Sequence, residues 1–261
     1  MGNPWEGFWQ VLYDGVDEIV PFGNTTIALR NALDFVVLTR SHFMEIGQLE
    51  KRPGPFDRPP TQQEAVALFR TFRAFAGRCN WRKGDGSWLL DESITMANDP
   101  RLEATTIQSS LEFDGDRCLC HRNLPEGKRH TTTWRRLSGA GTSDLSGGWE
   151  TEGRDERWMY LVTAGHYGVM RVGAARPRTP SHGKEFSDEE IFALSEGFGA
   201  NAGARLETSL TFDHWPMIGN GASGYEAQKH PTFRIDSHEK DRIVLSIPLW
   251  VETGEAWHRI D

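Results

Sequence analysis

Three polar residues in the second half of the chain have side chains suited to proton transfer. His214 follows an alternating stretch that leads through Phe212, which predicts it on the apolar face of a strand. A neutral imidazole in that setting can act as a general acid or base near pH 7. Tyr160 and Arg234 could hold a phenolate, enolate or carboxylate as negative charge develops on it. These three are the predicted catalytic residues.

Each of the three also has a structural interpretation. His214 could be hydrogen-bonded at a strand end, next to a turn, and Tyr160 and Arg234 could equally face solvent, because a slip of one residue reverses the face. In the first half of the chain, the residues matched to His214, Tyr160 and Arg234 are Asn98, either Phe35 or Val36, and Ser110.

Aromatic residues form the predicted substrate contacts. The chain contains 10 Trp and 14 Phe but only 4 Tyr, and Trp requires either a core position or a ligand to accommodate its size. Such side chains shape a cavity and exclude water. Tyr225 lies in a Gly-rich loop that could cap a barrel, although such loops are commonly only mobile lids. The predicted contacts are Trp88, Trp158, Phe212, Trp215, Tyr225 and His166.

Composition and motifs argue against several classes of protein and of functional site. The 29 Lys+Arg and 37 Asp+Glu give a net charge of −8, which argues against a nucleic-acid partner. No apolar run reaches the length of a membrane span, and the start of the chain lacks the pattern of a secretory signal. Three cysteines indicate a reducing compartment, so a cytoplasmic location is expected. Nucleotide, metal and serine-hydrolase motifs are missing, and no cofactor is predicted. Cys118 and Cys120 are expected to share one strand face as small apolar residues.

The chain repeats itself. Residues 38–53 match residues 162–177, which aligns His42 with His166 and places Arg-Pro ten residues after each histidine. The match continues from 61–77 to 187–203, and Trp134 later aligns with Trp257. Offsets of 123 to 126 residues between these positions indicate a duplication. The predicted domains are 1–137 and 149–261, joined by a Gly/Ser-rich linker at 138–148.

Each unit is predicted to contain strands, one short helix and further strands. Thr61 and Ser187, each with Glu three residues later, are capping-box starts for the helices. The predicted strands of the second unit are 158–163, 166–173, 205–213, 232–236, 243–251 and 255–260, with a helix at 187–199. Antiparallel strands in hairpin order favour an up-and-down barrel.

The duplicated residues are expected to serve the fold. His42 and His166 would bond a hairpin turn, and Arg176, with its match Arg52, would close the barrel mouth by pairing with a carboxylate or with strand-end carbonyls. The terminal arginines, Arg136 and Arg259, are expected to lie over an indole at the closed end of each barrel.

These residues resemble the lipocalin-like (calycin-type) domains of bacteria and fungi. The resemblance lies in the openings Gly7-Phe8-Trp9 and Gly147-Gly148-Trp149, in the hairpin sequence of 162–168 followed by Arg-Pro, in a helix ending in Ala-Gly, and in a closing Trp-x-Arg. The first copy departs from it, because Arg40-Ser41 replaces the turn glycine. The implied fold is mainly β, with two lipocalin-like antiparallel barrels in tandem and a short helix in each.

The resemblance implies two kinds of function. One is a cofactor-independent enzyme, a lyase, hydratase, isomerase or cyclase, acting on an aromatic, terpenoid or polyketide substrate by acid–base chemistry. In that case His214 moves the proton, Tyr160 and Arg234 stabilise charge on oxygen, and the second barrel is expected to hold the site. The alternative is a carrier that binds the same class of small hydrophobic molecule without changing it. A third interpretation fills both barrels with side chains.

Overall fold

Two closed eight-stranded antiparallel barrels in tandem form the chain. The computed structural model describes residues 3–13, 19–22, 25–28, 32–49, 59–123, 129–151, 155–208, 211–219, 232–246 and 255–261. The mainly β fold class, with two barrels and one α-helix accompanying each, is therefore confirmed.

The first barrel closes by pairing its first strand with both its second and its last. Its strands are β1 (Gly7–Leu12), β4 (Ala32–Leu38), β5 (His42–Leu49), β6 (Phe72–Lys83), β7 (Trp88–Ala97), β8 (Thr106–Asp114), β9 (Arg117–Asn123) and β10 (Arg129–Gly139). A separate two-stranded sheet, β2 (Ile19–Phe22) and β3 (Thr25–Ala28), lies between β1 and β4 in the chain, and a short 3-10 helix, Pro100–Leu102, follows β7.

The second barrel has the same plan, and its described residues contain no inserted sheet. Its strands are β11 (Gly147–Thr151), β12 (Glu156–Val162), β13 (His166–Gly173), β14 (Phe198–Glu207), β15 (Thr211–Gly219), β16 (Thr232–Glu239), β17 (Arg242–Ser246) and β18 (Glu255–Arg259). The prediction of one strand over 205–213 is wrong. The chain turns between Glu207 and Thr211, so the stretch is a hairpin whose two sides pair antiparallel. Leu206 is consequently 61% exposed rather than part of an apolar face.

The two helices start where the sequence predicts. Helix α1 (Gln62–Arg70) is capped by Thr61 and helix α2 (Asp188–Glu196) by Ser187, each with a complete capping box. Both helices end earlier than predicted, because Phe72 and Phe198 already begin strands. Those two phenylalanines contact each other edge to face at 6.2 Å.

The Ala-Gly pairs assigned to the helix ends lie instead at matching irregularities in the barrels. The strand register shifts between Ala76 and Gly77, and again between Ala202 and Gly203. A Cβ on Gly77 would come within 2.0 Å of the Ser93 carbonyl oxygen, and one on Gly203 within 2.1 Å of the Trp215 carbonyl oxygen. The duplicated glycines are thus required by close backbone approach at a β-bulge.

Each terminal arginine lies over an indole, as expected. The guanidinium of Arg136 lies 4.4 Å from the ring of Trp9, and that of Arg259 lies 4.4 Å from the ring of Trp149. Each indole belongs to the first strand of its barrel, and each donates its N–H to a backbone oxygen four residues earlier. We call this end of each barrel the tryptophan end.

The barrels pack side by side through one large apolar core. Outward-facing side chains of both sheets and the buried faces of α1 and α2 form it. Arg176 of the second unit donates to the Ala97 carbonyl and pairs with Glu103 of the first. The predicted partners of Arg176, a carboxylate and a strand-end carbonyl, are thus found, but they belong to the other barrel, so the arginine joins the two barrels and does not close the mouth of its own. Its match Arg52 lies outside the described residues.

Three further observations concern the cysteines, the boundary between the barrels and membrane-spanning helices. Cys118 and Cys120 are buried in the interior of the first barrel, as expected of small apolar residues on one strand face. The last strand of the first barrel ends at Gly139, and the first strand of the second barrel begins at Gly147. Within the described ranges, no helix combines the length and apolar character needed to cross a bilayer.

Candidate functional site

The interior of the second barrel brings two of the predicted catalytic residues into direct contact. The hydroxyl of Tyr160, on β12, lies 2.8 Å from Nε2 of His214, on β15. Both side chains are buried. They are adjacent because the alternation of each strand turns both residues inward, although 54 positions separate them in sequence.

Aromatic rings surround the imidazole of His214. The ring of Tyr167 stacks on it with 3.6 Å between centroids and an angle of 7°. Phe233 lies at 4.4 Å and Phe212 at 5.3 Å, centroid to centroid. This packing fixes the plane of the imidazole and keeps it in an environment of low polarity.

A buried guanidinium adds positive charge to the interior. Arg205 pairs with His214 across β14 and β15, so both side chains point to the same side of the sheet. Its Nη2 forms an ion pair with Glu207, and its Cζ lies 5.4 Å from the ring of Phe212. Arg205 therefore takes the position that the sequence interpretation gave to Arg234.

Burial controls the protonation of the pair. It lowers the pKa of His214 well below 6.5, with a further contribution from the positive charge of Arg205. It raises the pKa of Tyr160 to about 12, and the charge of Arg205 opposes that rise. Both groups are therefore neutral at physiological pH, and the hydroxyl and the imidazole share one hydrogen bond.

Two polar groups of this interior remain available. Nδ1 of His214 and the Nε and Nη1 atoms of Arg205 are buried and have no hydrogen-bond partner among the described residues. A buried donor or acceptor without a partner costs about 1–3 kcal/mol. These atoms are therefore suited to bond an oxygen of a bound molecule.

The aromatic residues predicted to contact a substrate do not all lie in the same barrel or on the same strand face. Phe212 contacts His214, and Trp158 packs in the same interior, 6.2 Å from the ring of Trp257. Trp88 belongs to the first barrel, where it meets Trp5 edge to face at 4.5 Å.

Arg234 and Trp215 lie on the outer surface. The side chain of Arg234 is 61% exposed and bonds to Asp236, and Trp215 is 46% exposed. Their immediate neighbours, Phe233 and His214, are buried, and successive side chains of a strand point to opposite faces. The structure therefore does not bring Arg234 or Trp215 to the Tyr160–His214 pair.

His166 lies between the barrels. Its ring stacks on Phe8 of the first barrel at 4.6 Å, and its backbone oxygen accepts a hydrogen bond from Thr163 across the hairpin turn. His42 accepts the matching backbone bond from Thr39. Because any residue can accept such a bond, the role expected of the two histidines in the fold stays a prediction. The predicted contact Tyr225 lies outside the described residues.

The residue matched to His214 is Glu92, which corrects the match with Asn98. Arg205 pairs with His214, and its counterpart Cys79 pairs with Glu92. The hairpin is four residues shorter in the second barrel, so the offset between copies changes from 126 to 122 across it. Asn98 instead bonds the backbone of Phe72 and Ala74.

Sequence reasoning missed Tyr167, Phe233 and Arg205. Arg205 could have been found by ending one strand at Glu207 and beginning the next at Thr211, because the resulting hairpin places Arg205 opposite His214. Tyr167 is next to the predicted residue His166, and Phe233 is next to the predicted residue Arg234. Which member of each pair points into the barrel depends on the strand register, which the sequence did not show.

Comparison with known proteins supports the fold and no activity. No family model matches the chain, and no curated protein matches it. Among solved structures, it is similar to the crystal structure of the uncharacterized protein YLR301w from Saccharomyces cerevisiae, with a TM-score of 0.55, 9% identity and coverage of 97% of each chain. The chain has a tandem lipocalin-like fold. At this level of identity, the likeness extends to architecture only.

Proposed function

We propose that the second barrel binds a small, largely apolar molecule with one acidic or carbonyl oxygen and catalyses a proton transfer on it without a cofactor. The observation that carries this proposal is the buried Tyr160–His214 hydrogen bond, with Nδ1 of His214 available on the other side of the ring. The surrounding aromatic rings favour a flat aromatic, terpenoid or polyketide ligand over a charged one.

A proton would pass from His214 to the ligand while Tyr160 replaces it on His214, and the same steps would run in reverse. When Nε2 accepts the hydrogen bond from Tyr160, Nδ1 carries the hydrogen of the neutral imidazole. His214 gives that proton to the ligand and takes the proton of Tyr160 at Nε2. Tyr160 is then a phenolate, which the positive charge of Arg205 stabilises. The reverse transfer removes a proton, so the overall reaction is an isomerisation, elimination, hydration or cyclisation.

The interior of the first barrel does not offer the same chemistry. Its residues matched to Tyr160 and His214 are Val36 and Glu92, and its buried phenol, that of Tyr13, donates to the carboxylate of Asp34. The site therefore belongs to the second barrel alone. The three free, buried cysteines support a cytoplasmic setting, and the net charge of −8 supports a small molecule rather than a nucleic acid as partner.

Native mass spectrometry of the purified protein tests the proposal. A co-purifying small molecule with an aromatic or polyene skeleton is expected in the wild-type protein and in His214→Gln. Incubation with that molecule should give a product with the wild-type protein, and Tyr160→Phe and His214→Gln should lower the rate at least about 100-fold, the range expected for loss of an acid–base group. His238→Gln is the matched control, since His238 is exposed on β16.

Two results would contradict the proposal. A molecule bound by all variants and changed by none would make the second barrel a carrier. A protein that holds no ligand and whose tryptophan fluorescence does not respond to any aromatic acid or ketone would exclude the binding role as well.

A further inference from the structure

A connected set of charged side chains lies inside the first barrel, and we call it the charge network. Nη2 of Arg73 donates to Glu45 Oε1 at 2.6 Å and also bonds to Asp34. Nη2 of Arg122 donates to Glu45 Oε2 at 2.9 Å and to Glu92 Oε2 at 3.1 Å. Glu45 thus bridges the two guanidinium groups. Glu92 lies at one end of the network, and Asp34, at the other, also accepts a hydrogen bond from the hydroxyl of Tyr13 at 2.8 Å.

The network is not balanced in charge. Three carboxylates against two guanidinium groups leave one negative charge when all are ionised. Oδ1 of Asp34 and Oε1 of Glu92 are buried and have no hydrogen-bond partner among the described residues. A buried carboxylate is stable only with good partners for its oxygens, so each end requires a hydrogen-bond donor.

The second barrel shows that the fold does not need these charges. The strand register matches Asp34, Glu45, Arg73 and Glu92 with Trp158, Val169, Gly199 and His214. A closed barrel of the same plan therefore forms with uncharged groups at these positions. The charge network is a property of the first copy, which indicates a role beyond closing the barrel.

The network can be reached from solvent at one end. Asp34, Arg73 and Arg122 lie near the strand ends opposite the tryptophan end of the barrel. The side chains of Arg73 and Arg122 keep 18% and 14% of their surface exposed, whereas those of Asp34 and Glu92 are fully buried. Phe75 lies beside both arginines, with its ring centroid 5.9 Å from each Cζ.

We propose that the interior of the first barrel is a second binding site, which takes a small organic cation whose ammonium group bonds to the unpartnered Oε1 of Glu92. The excess negative charge selects a cation over an anion. In the described part of the chain, no three His, Cys, Asp or Glu side chains are grouped as metal ligands, which favours an ammonium group over a metal ion. The ring of Phe75 suits an apolar or aromatic substituent on that cation.

Binding should be linked to protons. Glu92 is faced by Arg122 and Glu45, with Arg73 and the thiols of Cys79 and Cys120 acting on the same region. Burial raises the pKa of Glu92 to about 7, with Arg122 opposing the rise. An ammonium group favours the ionised carboxylate, so binding below pH 7 should release a proton. Burial also raises the pKa of Asp34 to about 6, with Arg73 opposing the rise, so the network loses further negative charge on acidification and cation binding weakens.

Calorimetry on the full chain, with benzylamine, benzyl alcohol and benzoate as probes, tests the inference. Benzylamine is expected to bind the wild-type protein, with affinity that falls from pH 8 to pH 5 and with proton release at pH 6. Glu92→Gln should weaken benzylamine binding at least tenfold at pH 8, and Asp34→Asn, which removes the excess negative charge of the network, should weaken it as well. Glu112→Gln, a matched change on an exposed residue of β8, should leave it unchanged.

Circular dichroism checks that each variant is folded. If one of the two substitutions prevents folding, the other, at the opposite end of the network, still tests the inference. The inference is overturned if benzyl alcohol binds as tightly as benzylamine, if benzylamine does not bind, or if both variants bind it as the wild-type protein does. His214→Gln should not affect benzylamine binding, so a failure in this barrel is distinguishable from a failure of the function proposed for the second.

Discussion

Replacing Glu92 by Gln should remove the free-energy cost of ionising a buried carboxyl group, which the folded protein incurs at neutral and alkaline pH. The carboxyl group is fully buried and bonds through Oε2 to Arg122, while Oε1 has no partner among the described residues. Gln has nearly the same shape and carries no charge. The substitution thus leaves packing in place and deletes a single ionisation.

The size of the effect follows from the pKa. Burial raises the pKa of Glu92 from 4.5 to about 7, which corresponds to about 3 kcal/mol at 1.36 kcal/mol per unit of pKa. The folded protein holds this proton more tightly than the unfolded chain does. The associated stability is therefore complete below about pH 4.5 and is lost as the pH rises through 7. The Glu92→Gln variant has no carboxyl group at this position, so its stability does not fall for this reason as the pH rises.

Urea unfolding, followed by tryptophan fluorescence, measures the difference. The free energy of unfolding of Glu92→Gln, relative to the wild-type protein, should increase by about 3 kcal/mol between pH 4.5 and pH 8. A constant offset at all pH values would report the weakened bond to Arg122 and does not enter the comparison. Glu112→Gln should show no such change. A difference that stays level between pH 4.5 and pH 8 would refute the reasoning about Glu92.

The remaining predictions concern the barrels themselves. Gly203→Ala should lower the free energy of unfolding by about 3 kcal/mol or prevent folding, because its Cβ would meet the Trp215 carbonyl oxygen at 2.1 Å, whereas Gly139→Ala, with no atom within 4 Å, should change it by less than about 1 kcal/mol. Thermal unfolding of both variants checks this, and equal midpoints would contradict it. Arg259→Ala should cost about 2 kcal/mol in urea unfolding, because the guanidinium lies over Trp149 and donates to backbone oxygens of three residues. A loss below about 0.5 kcal/mol would show that this closure of the second barrel contributes little.

The sequence alone determined the repeat and much of the local structure. Helix starts at Thr61 and Ser187 depend on capping residues within one turn of the chain, and both capping boxes form. Likewise, the terminal arginines Arg136 and Arg259 could be recognised because each follows a Trp at the end of its copy, at an offset of 123 residues. Signals of this kind are local or duplicated, so they can be read without knowing which strands meet.

Strand face and pairing depended on the tertiary structure. The hairpin between Glu207 and Thr211 decides that Arg205, and not Arg234, faces His214, because a shift of one residue along a strand moves every side chain to the other side. The charge network in the first barrel was not visible in advance for a related reason. Its members come from separate strands, and no local pattern in the sequence marks Asp34 or Glu92 as buried.

The duplication was thus fixed by the order of the residues, whereas the difference between the two interiors was decided by closure of the barrels. Closure brings side chains from distant strands into a medium of low polarity, where an unbalanced carboxylate or an unpartnered imidazole nitrogen has a large energetic effect. For this reason the same fold, built twice from one chain, encloses the charge network in its first half and a neutral Tyr160–His214 pair in its second.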